Sequence, residues 1–395
     1  MRILALKAKG YVLPAIHASM VRAFQSCGVK VLDLAVPQRP LQYQTLKEIS
    51  NGYDAIFTLD LGANPEFISN LKEFQLSLRI PWIIWFADDP DGYGFPEVCE
   101  PDWTLAFCWD EAITHREFSW RGRPLAYLPL ATDPSVFWPE RADCGLLYPG
   151  GVFVGSTAHP NGILSEVPRN TPGFREDVEA IWLDYREDFR QPLHNLAWRN
   201  LAQKTKHDLY SIQGDQLCRL WVQALVYHVG MIKRREIVSN VIKPGGGVFG
   251  DEGWSSLLRE NLYQGRIEYG DELRRVYSNS TFVLDVRQPQ SRTGLSQRIF
   301  DAIVCRCPVL SEWSPEVEAL FGPEDEIFGF RNLAEALEMR ERCLQDPKDV
   351  SLGLDVKVLQ GQVQAFVSGF PVVTDANLFG QGDPAENKEN GKDSQ

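Results

Sequence analysis

Residues 287–301 read RQPQSRTGLSQRIFD, and they carry the side chains best suited to hold a ligand. Arg287, Arg292 and Arg298 bring three guanidinium groups, whose planar forks match the oxygens of a phosphate. Gly294 and Ser296 stand where a helix must begin, and a helix start presents unpaired N–H groups to an anion. Asp301 is the one acid, a turn beyond Arg298, and a single carboxylate there suits the two hydroxyls of a ribose. Arginines for a diphosphate and an acid for a sugar diol together describe a nucleotide-sugar site. The plain alternative is a surface loop whose arginines are merely solvated, and the strand context argues against it.

The elements around this loop give it a fixed place. A short helix over 271–278 leads into a strand over 281–286. The polar loop with Pro289 and Gly294 follows, then a helix over 296–304 and a strand over 308–310. That is one strand–loop–helix–strand unit of a parallel sheet, and the loops leaving the carboxyl ends of such strands are where open α/β sheets bind ligands.

Three further candidates lie outside this unit. The strand 152–154 ends in Gly155-Ser156, where backbone amides can approach a phosphate closely. Arg234 and Arg235 precede the strand and loop 248–254; one of them, with Arg235 taken as the candidate, would neutralise a departing diphosphate, against the reading of both as snorkelling helix residues. Asp88 and Asp89 close the apolar run IIWFADDP, and at a strand end one carboxylate can act as a base, bind an acceptor hydroxyl or take a divalent ion. Neighbouring residues seldom aim at one target, so Asp88 alone is taken as catalytic, against a plain Asp-Pro turn. His17 reads as a partly buried helix residue. No GxGxxG, P-loop, Gly-x-Ser-x-Gly or Asp-x-Asp motif occurs, and the histidines show no metal spacing.

Along the whole chain, short strands at 2–6, 30–35, 55–59, 82–87, 105–108 and 126–128 alternate with helices at 16–27, 45–49, 66–79 and 111–120, the pattern of a doubly wound parallel sheet. Pro129, Pro134 and Pro139 stiffen a linker, and a second strand series starts at 152–154. Residues 177–201, with a break at Pro192, and 209–238 read as helical, and helices follow at 333–344 and 356–367. The expected architecture is therefore α/β, two Rossmann-like doubly wound domains over 1–140 and 141–375. A helical insertion at about 170–240 falls in the second domain, and residues 381–395 form a polar disordered tail.

Segment 269–311 resembles the donor-binding half of glycosyltransferases with the two-domain GT-B fold, in the retaining clan. The whole chain resembles the CgeB/YkvP spore-maturation type. IIWFADDP (83–90), YLPLATDPSVFWPE (127–140), VFVGS (152–156) and 269–311 carry the likeness, the second most specifically. The resemblance implies sugar transfer from a nucleotide-diphosphate sugar, without a metal or other cofactor and with retention of configuration. Gly155, Arg235, Arg292, Gly294, Ser296, Arg298 and Asp301 would bind the donor. Asp301 falls on the second acid of the Glu-x(7)-Glu pattern of that clan, and Arg298-Ile299-Phe300-Asp301 matches the Arg-x-Phe-acid core of the branch. Thr293 stands where the first acid is usual, and Arg306 where a small residue is usual. Those departures motivate the alternative, a non-catalytic nucleotide-sugar binder or scaffold with a degenerate site.

The 395 residues exceed one compact core, and the net charge of −13 argues against nucleic acid as a partner. Eight scattered cysteines without a CxxC pair read as reduced thiols. The apolar run before Lys7 is too short for a signal peptide, and the longest runs have strand length, not membrane-span length. A cytoplasmic protein is expected, with room for peripheral membrane contact, a nucleotide sugar as ligand and an acceptor that the sequence does not identify.

Overall fold

The computed structural model describes residues 1–345 except 9, 11, 36–47, 49, 51, 61–64, 91–98, 100–102, 115–124, 141–144, 160–162, 171, 208–215, 259–260 and 322–326. Two six-stranded sheets, both wholly parallel, organise the chain. In the first, β1 (Arg2–Lys7) lies between β2 (Lys30–Ala35) and β3 (Ala55–Leu59). Outwards from β3 come β4 (Trp82–Phe86), β5 (Thr104–Cys108) and β6 (Ala126–Tyr127). Strands β3 and β4 are buried at every position, which is why they read as unbroken apolar runs. Helices α1 (Leu13–Ser26), α2 (Pro65–Leu78) and α3 (Glu111–Thr114) connect them, and Pro14 starts α1 where its missing N–H costs nothing.

The second sheet is built from β7 (Val152–Val154), β8 (Gly247–Phe249), β9 (Tyr263–Gly265), β10 (Val283–Asp285), β11 (Val309–Glu312) and β12 (Ile327–Phe330), in the order β12-β11-β10-β7-β8-β9. Chain order thus runs outwards in one direction from β7 and then in the other from β10. Among the described residues, four helices lie in the crossover from β7 to β8: α4 (Ile163–Asn170), α5 (Phe174–Tyr185), α6 (Leu193–Thr205) and α7 (Gln216–Val241). The remaining helices are α8 (Asp271–Ser278), α9 (Gln297–Val304), α10 (Pro315–Phe321) and α11 (Leu333–Gln345).

Successive strand residues face opposite layers. Val152, Val283 and Val309 belong to one apolar cluster, which continues through Phe137 and Ile299 into the first sheet. Phe153, Leu284 and Leu310 belong to the other, under α5 to α7. Each such side chain contributes about 1.5–3 kcal/mol when buried, so both faces must stay covered.

Most expected elements are present with ends shifted by a few residues. Strands β9 and β12, helices α4 and α10 and a 3-10 turn at Glu252–Ser256 were not expected. The expected helices at 45–49 and 356–367, the second part of that at 111–120, the start of that at 209–238 and the tail 381–395 lie wholly or mostly outside the described residues. No disulfide joins the described cysteines. Among the described residues no helix is long and apolar enough to cross a membrane.

Gly151 enters β7 with φ of 80°, and a Cβ there would fall 2.2 Å from the ring of Phe282. Gly151→Ala should therefore lower stability by about 3 kcal/mol through strain and overpacking, read as an earlier urea midpoint with an unchanged slope.

Candidate functional site

The order of the second sheet reverses between β7 and β10, and such a reversal opens a crevice beyond the carboxyl ends of the two strands. Arg234, on α7, spans that point. Its guanidinium donates to the carbonyls of Ser156 (2.8 Å) and Val286 (2.9 Å), and more weakly to that of Arg287 (3.4 Å). It is 0% exposed and makes no ion pair among the described residues. Burial, and then the neighbouring charge of Arg298, bring its pKa down to about 9, so it is still charged at neutral pH.

Arg234 has cationic company. Arg298 donates to the Val154 carbonyl at 2.7 Å and ion-pairs with buried Asp285. Both guanidinium groups lie over the ring of Phe153, at 5.8 Å for Arg234 and 4.9 Å for Arg298. Lys233 and Arg287 share one carboxylate, Glu312, at 2.9 and 3.1 Å. Four buried cations (Lys233, Arg234, Arg287, Arg298) thus stand beside two buried carboxylates (Asp285, Glu312), and of the four only Arg234 pairs with neither. Asp251 acts on Arg234 from further away and is already bound to Thr157 and Gly253. An uncompensated buried charge is costly, and an anion with two charges would balance this one.

The structure distributes the sequence candidates unevenly. Gly155 lies at the end of β7, where a Cβ would come 2.9 Å from Arg298 Nη2. Ser296 caps the start of α9 and donates to Asp285 at 2.6 Å. Arg292 is half-buried, and its guanidinium has no partner among the described residues. Gly155, Ser296, Arg298 and Asp285 therefore form one cluster.

Three candidates are placed differently from expectation. Arg235 is exposed on α7, while Arg234, three before buried Ile237 and four after buried Gly230, faces inwards. The helical period could have separated the two. Gly294 is needed because Trp109 and Asp110 of the first half press on it; a Cβ would sit 2.5 Å from the Trp109 ring. Asp301 is 1% exposed, and its oxygens accept from Thr132 (2.6 Å), Tyr269 (2.8 Å) and Gln297 (2.9 Å). Burial pushes it up to about 7 despite those donors. In this arrangement it fastens the linker rather than facing a ligand.

Acids of the first sheet meet this region. Asp88 follows β4 and accepts from Gln290, of the loop after β10, at 3.2 Å. Burial raises its carboxyl, and the Gln290 hydrogen bond opposes the rise. Asp60 follows β3 at φ of 53° and receives the amides of Ala87 (2.8 Å) and Asp88 (3.3 Å) on one oxygen. Its other oxygen is buried with no hydrogen-bond partner. Asp110 follows β5 and holds the loop 291–294. Asp60 and Asp110 were missed, although Leu59-Asp60 and Trp109-Asp110 end apolar strands just as Ala87-Asp88 does. His17 is buried against Asp33 at 2.9 Å, far from this region in the sheet order. Among the described residues no three His, Cys, Asp or Glu side chains are grouped to hold a metal ion.

A family model described as glycosyl transferase-like matches residues 220–352, which include most of α7, the cation cluster and the loop after β10. No curated protein matches the chain. An α-glucosyltransferase solved with UDP and a 13-mer DNA is similar over 92% of this chain and 93% of its own, at 10% identity and a TM-score of 0.50. HepE from Anabaena, solved with UDP, covers 93% of this chain and 95% of its own at 10% identity and a TM-score of 0.47. The chain has the GT-B fold, two parallel α/β sheets in sequence.

Burial, and then Asp88, push Asp60 up to about 8 from 3.8. The folded protein therefore holds that proton more tightly than the unfolded chain does. Its contribution to stability is complete below 3.8 and is lost as pH rises through about 8. Asp60→Asn should flatten this part of the fall in melting temperature with pH; a slope equal to that of the wild type would mean that Asp60 is ionised when folded.

Proposed function

We propose that the chain is a glycosyltransferase that moves a sugar from a nucleoside-diphosphate sugar to an acceptor hydroxyl. The observation that carries this reading is the excess of buried positive charge around Arg234, at the reversal point of the second sheet. The glycosyl transferase-like match over the same residues and the GT-B fold support it. A diphosphate held there meets fixed guanidinium groups that need no rearrangement as charge grows on the leaving oxygen. The guanidinium of Arg292 has no partner among the described residues and would meet the same phosphates from the loop after β10. Charge built into the chain can do what a divalent ion would do, and we read the transfer as metal-independent. Retention of configuration and the CgeB-like subtype rest on the sequence resemblance. The acceptor enters from the side of Asp88, which takes up its hydroxyl proton. A cytoplasmic location belongs to the same reading.

A second reading, a nucleotide-sugar binder without transfer, is favoured by Thr293 at the usual place of an acid and by the enclosure of Asp301. It predicts binding with neither transfer nor donor hydrolysis.

A thermal-shift panel of UDP, GDP, TDP, CMP, ADP and NAD tests the site, with donor hydrolysis and labelled sugar transfer following for any nucleotide that binds. UDP heads the panel because it is the diphosphate in the α-glucosyltransferase of similar fold. Arg292→Ala should weaken the bound nucleotide about tenfold or more, the worth of one charged hydrogen bond. The free protein should change by less than about 0.5 kcal/mol. A wild-type protein unmoved by every nucleotide would remove the donor site.

A further inference from the structure

The loop that carries Arg292 is gripped by two acids from opposite halves of the molecule. Asp110 is 0% exposed and Glu316, on α10, is 4% exposed. Asp110 accepts from the amides of Arg292 (2.6 Å), Thr293 (3.2 Å) and Ala112 (3.1 Å), and from the hydroxyl of Ser291 at 3.4 Å. Between the two acids stands Thr293. Its Oγ1 lies 3.0 Å from Asp110 Oδ1 and 2.9 Å from Glu316 Oε1.

A hydroxyl has one proton and can donate to only one of those oxygens. The other contact would oppose two bare oxygens in a buried place unless one carboxyl carries a proton of its own. Among the described residues no cation intervenes to relieve them. Arg287 acts on Asp110 from a distance but spends its ion pair on Glu312. The other ionisable groups facing Glu316 are Glu111, whose amide donates to it at 3.2 Å, and the hydroxyl of Tyr127; neither brings positive charge. Burial raises Asp110 too, but amides on both of its oxygens oppose the rise and favour its ionised form. Glu316 receives one amide on Oε1, and its Oε2 is buried without a hydrogen-bond partner.

We propose that Glu316 is a positioning residue that stays protonated, donates to Thr293, and through Thr293 and Asp110 locks the Arg292 loop against the first half of the molecule. The proton completes a one-way chain, Glu316 to Thr293 to Asp110, in which every contact has one donor and one acceptor. Without it the two acids repel across the junction and the loop loosens. Burial, and then the charge of Asp110, push Glu316 up to about 7 from 4.5, in keeping with this chain. The sign follows: the lock is complete below 4.5 and is released as pH rises through about 7.

The test compares wild type with Glu316→Gln, which keeps a donor but cannot ionise, and with Glu316→Ala. In the absence of nucleotide, melting temperature is followed on both sides of pH 7. The wild type should lose stability through that range, Glu316→Gln should lose less, and Glu316→Ala should start lower. UDP affinity is measured over the same range. In the wild type it should weaken about tenfold as the lock opens, a change of about 1.4 kcal/mol. Glu316→Gln should keep the tighter value throughout, and Glu316→Ala the weaker one. Parallel curves for wild type and Glu316→Gln, or a Gln variant as poor as Ala, would overturn the proposal. The UDP arm rests on the proposed donor site and the melting arm does not. If no nucleotide binds the wild type, the donor reading fails and the melting curves alone decide the fate of the lock.

Discussion

The structure depends on how it tolerates charge in its interior. Arg234 sits at the reversal point of the second sheet with no carboxylate partner among the described residues, held by carbonyls just beyond β7 and β10. A guanidinium can be kept there because its fork meets several carbonyl oxygens at once, which an ammonium could not do from the same position. The carbonyls solvate the charge without cancelling it. What remains is a field directed at the space beyond the strand ends, prepared before any ligand arrives. The apolar side chains on both faces of the sheet must offset that strain, and the alternation of Val152 with Phe153 and of Val283 with Leu284 provides the cover.

The first half contributes the opposite sign. Asp60, Asp88 and Asp110 end three neighbouring strands, and burial raises all three above the ordinary aspartate range. Fixed cations on one side and carboxyl groups of raised pKa on the other suit a reaction in which a proton leaves one partner while negative charge grows on the other.

Much of this was legible in the sequence. The apolar runs of β1, β3 and β4 announced their strands, because a strand covered on both faces has no reason to alternate. The short strand β9, Tyr263–Gly265, has no such run, and β12 has only four residues, so neither stood out. The loop 287–294 was read as a ligand site from its arginines, but their division of labour was hidden. Arg287 turned out to serve Glu312, while the Arg292 guanidinium has no partner among the described residues. Gly294 looked like a phosphate-binding glycine and instead makes room for Trp109, a neighbour far away along the chain. Contacts such as Asp110 with Thr293 leave no trace in local spacing; they follow from how the two sheets meet. The helical period separates the adjacent arginines, with Arg234 facing inwards and Arg235 exposed.

The passage from one sheet to the other is short. Leu128 is tied at both its amide and its carbonyl to the first sheet, by Cys108 and Trp85. Ala131 and Thr132 are already tied to α9, through Gln297 and Asp301. Only Pro129 and Leu130 lie between, and the proline ring presets one of their torsions. At this crossing the two halves therefore share a joint with very few degrees of freedom. Any relative rotation is steered along a narrow arc, and because Asp301 clamps the joint to α9, it carries Ser296 and Arg298 with it as one piece.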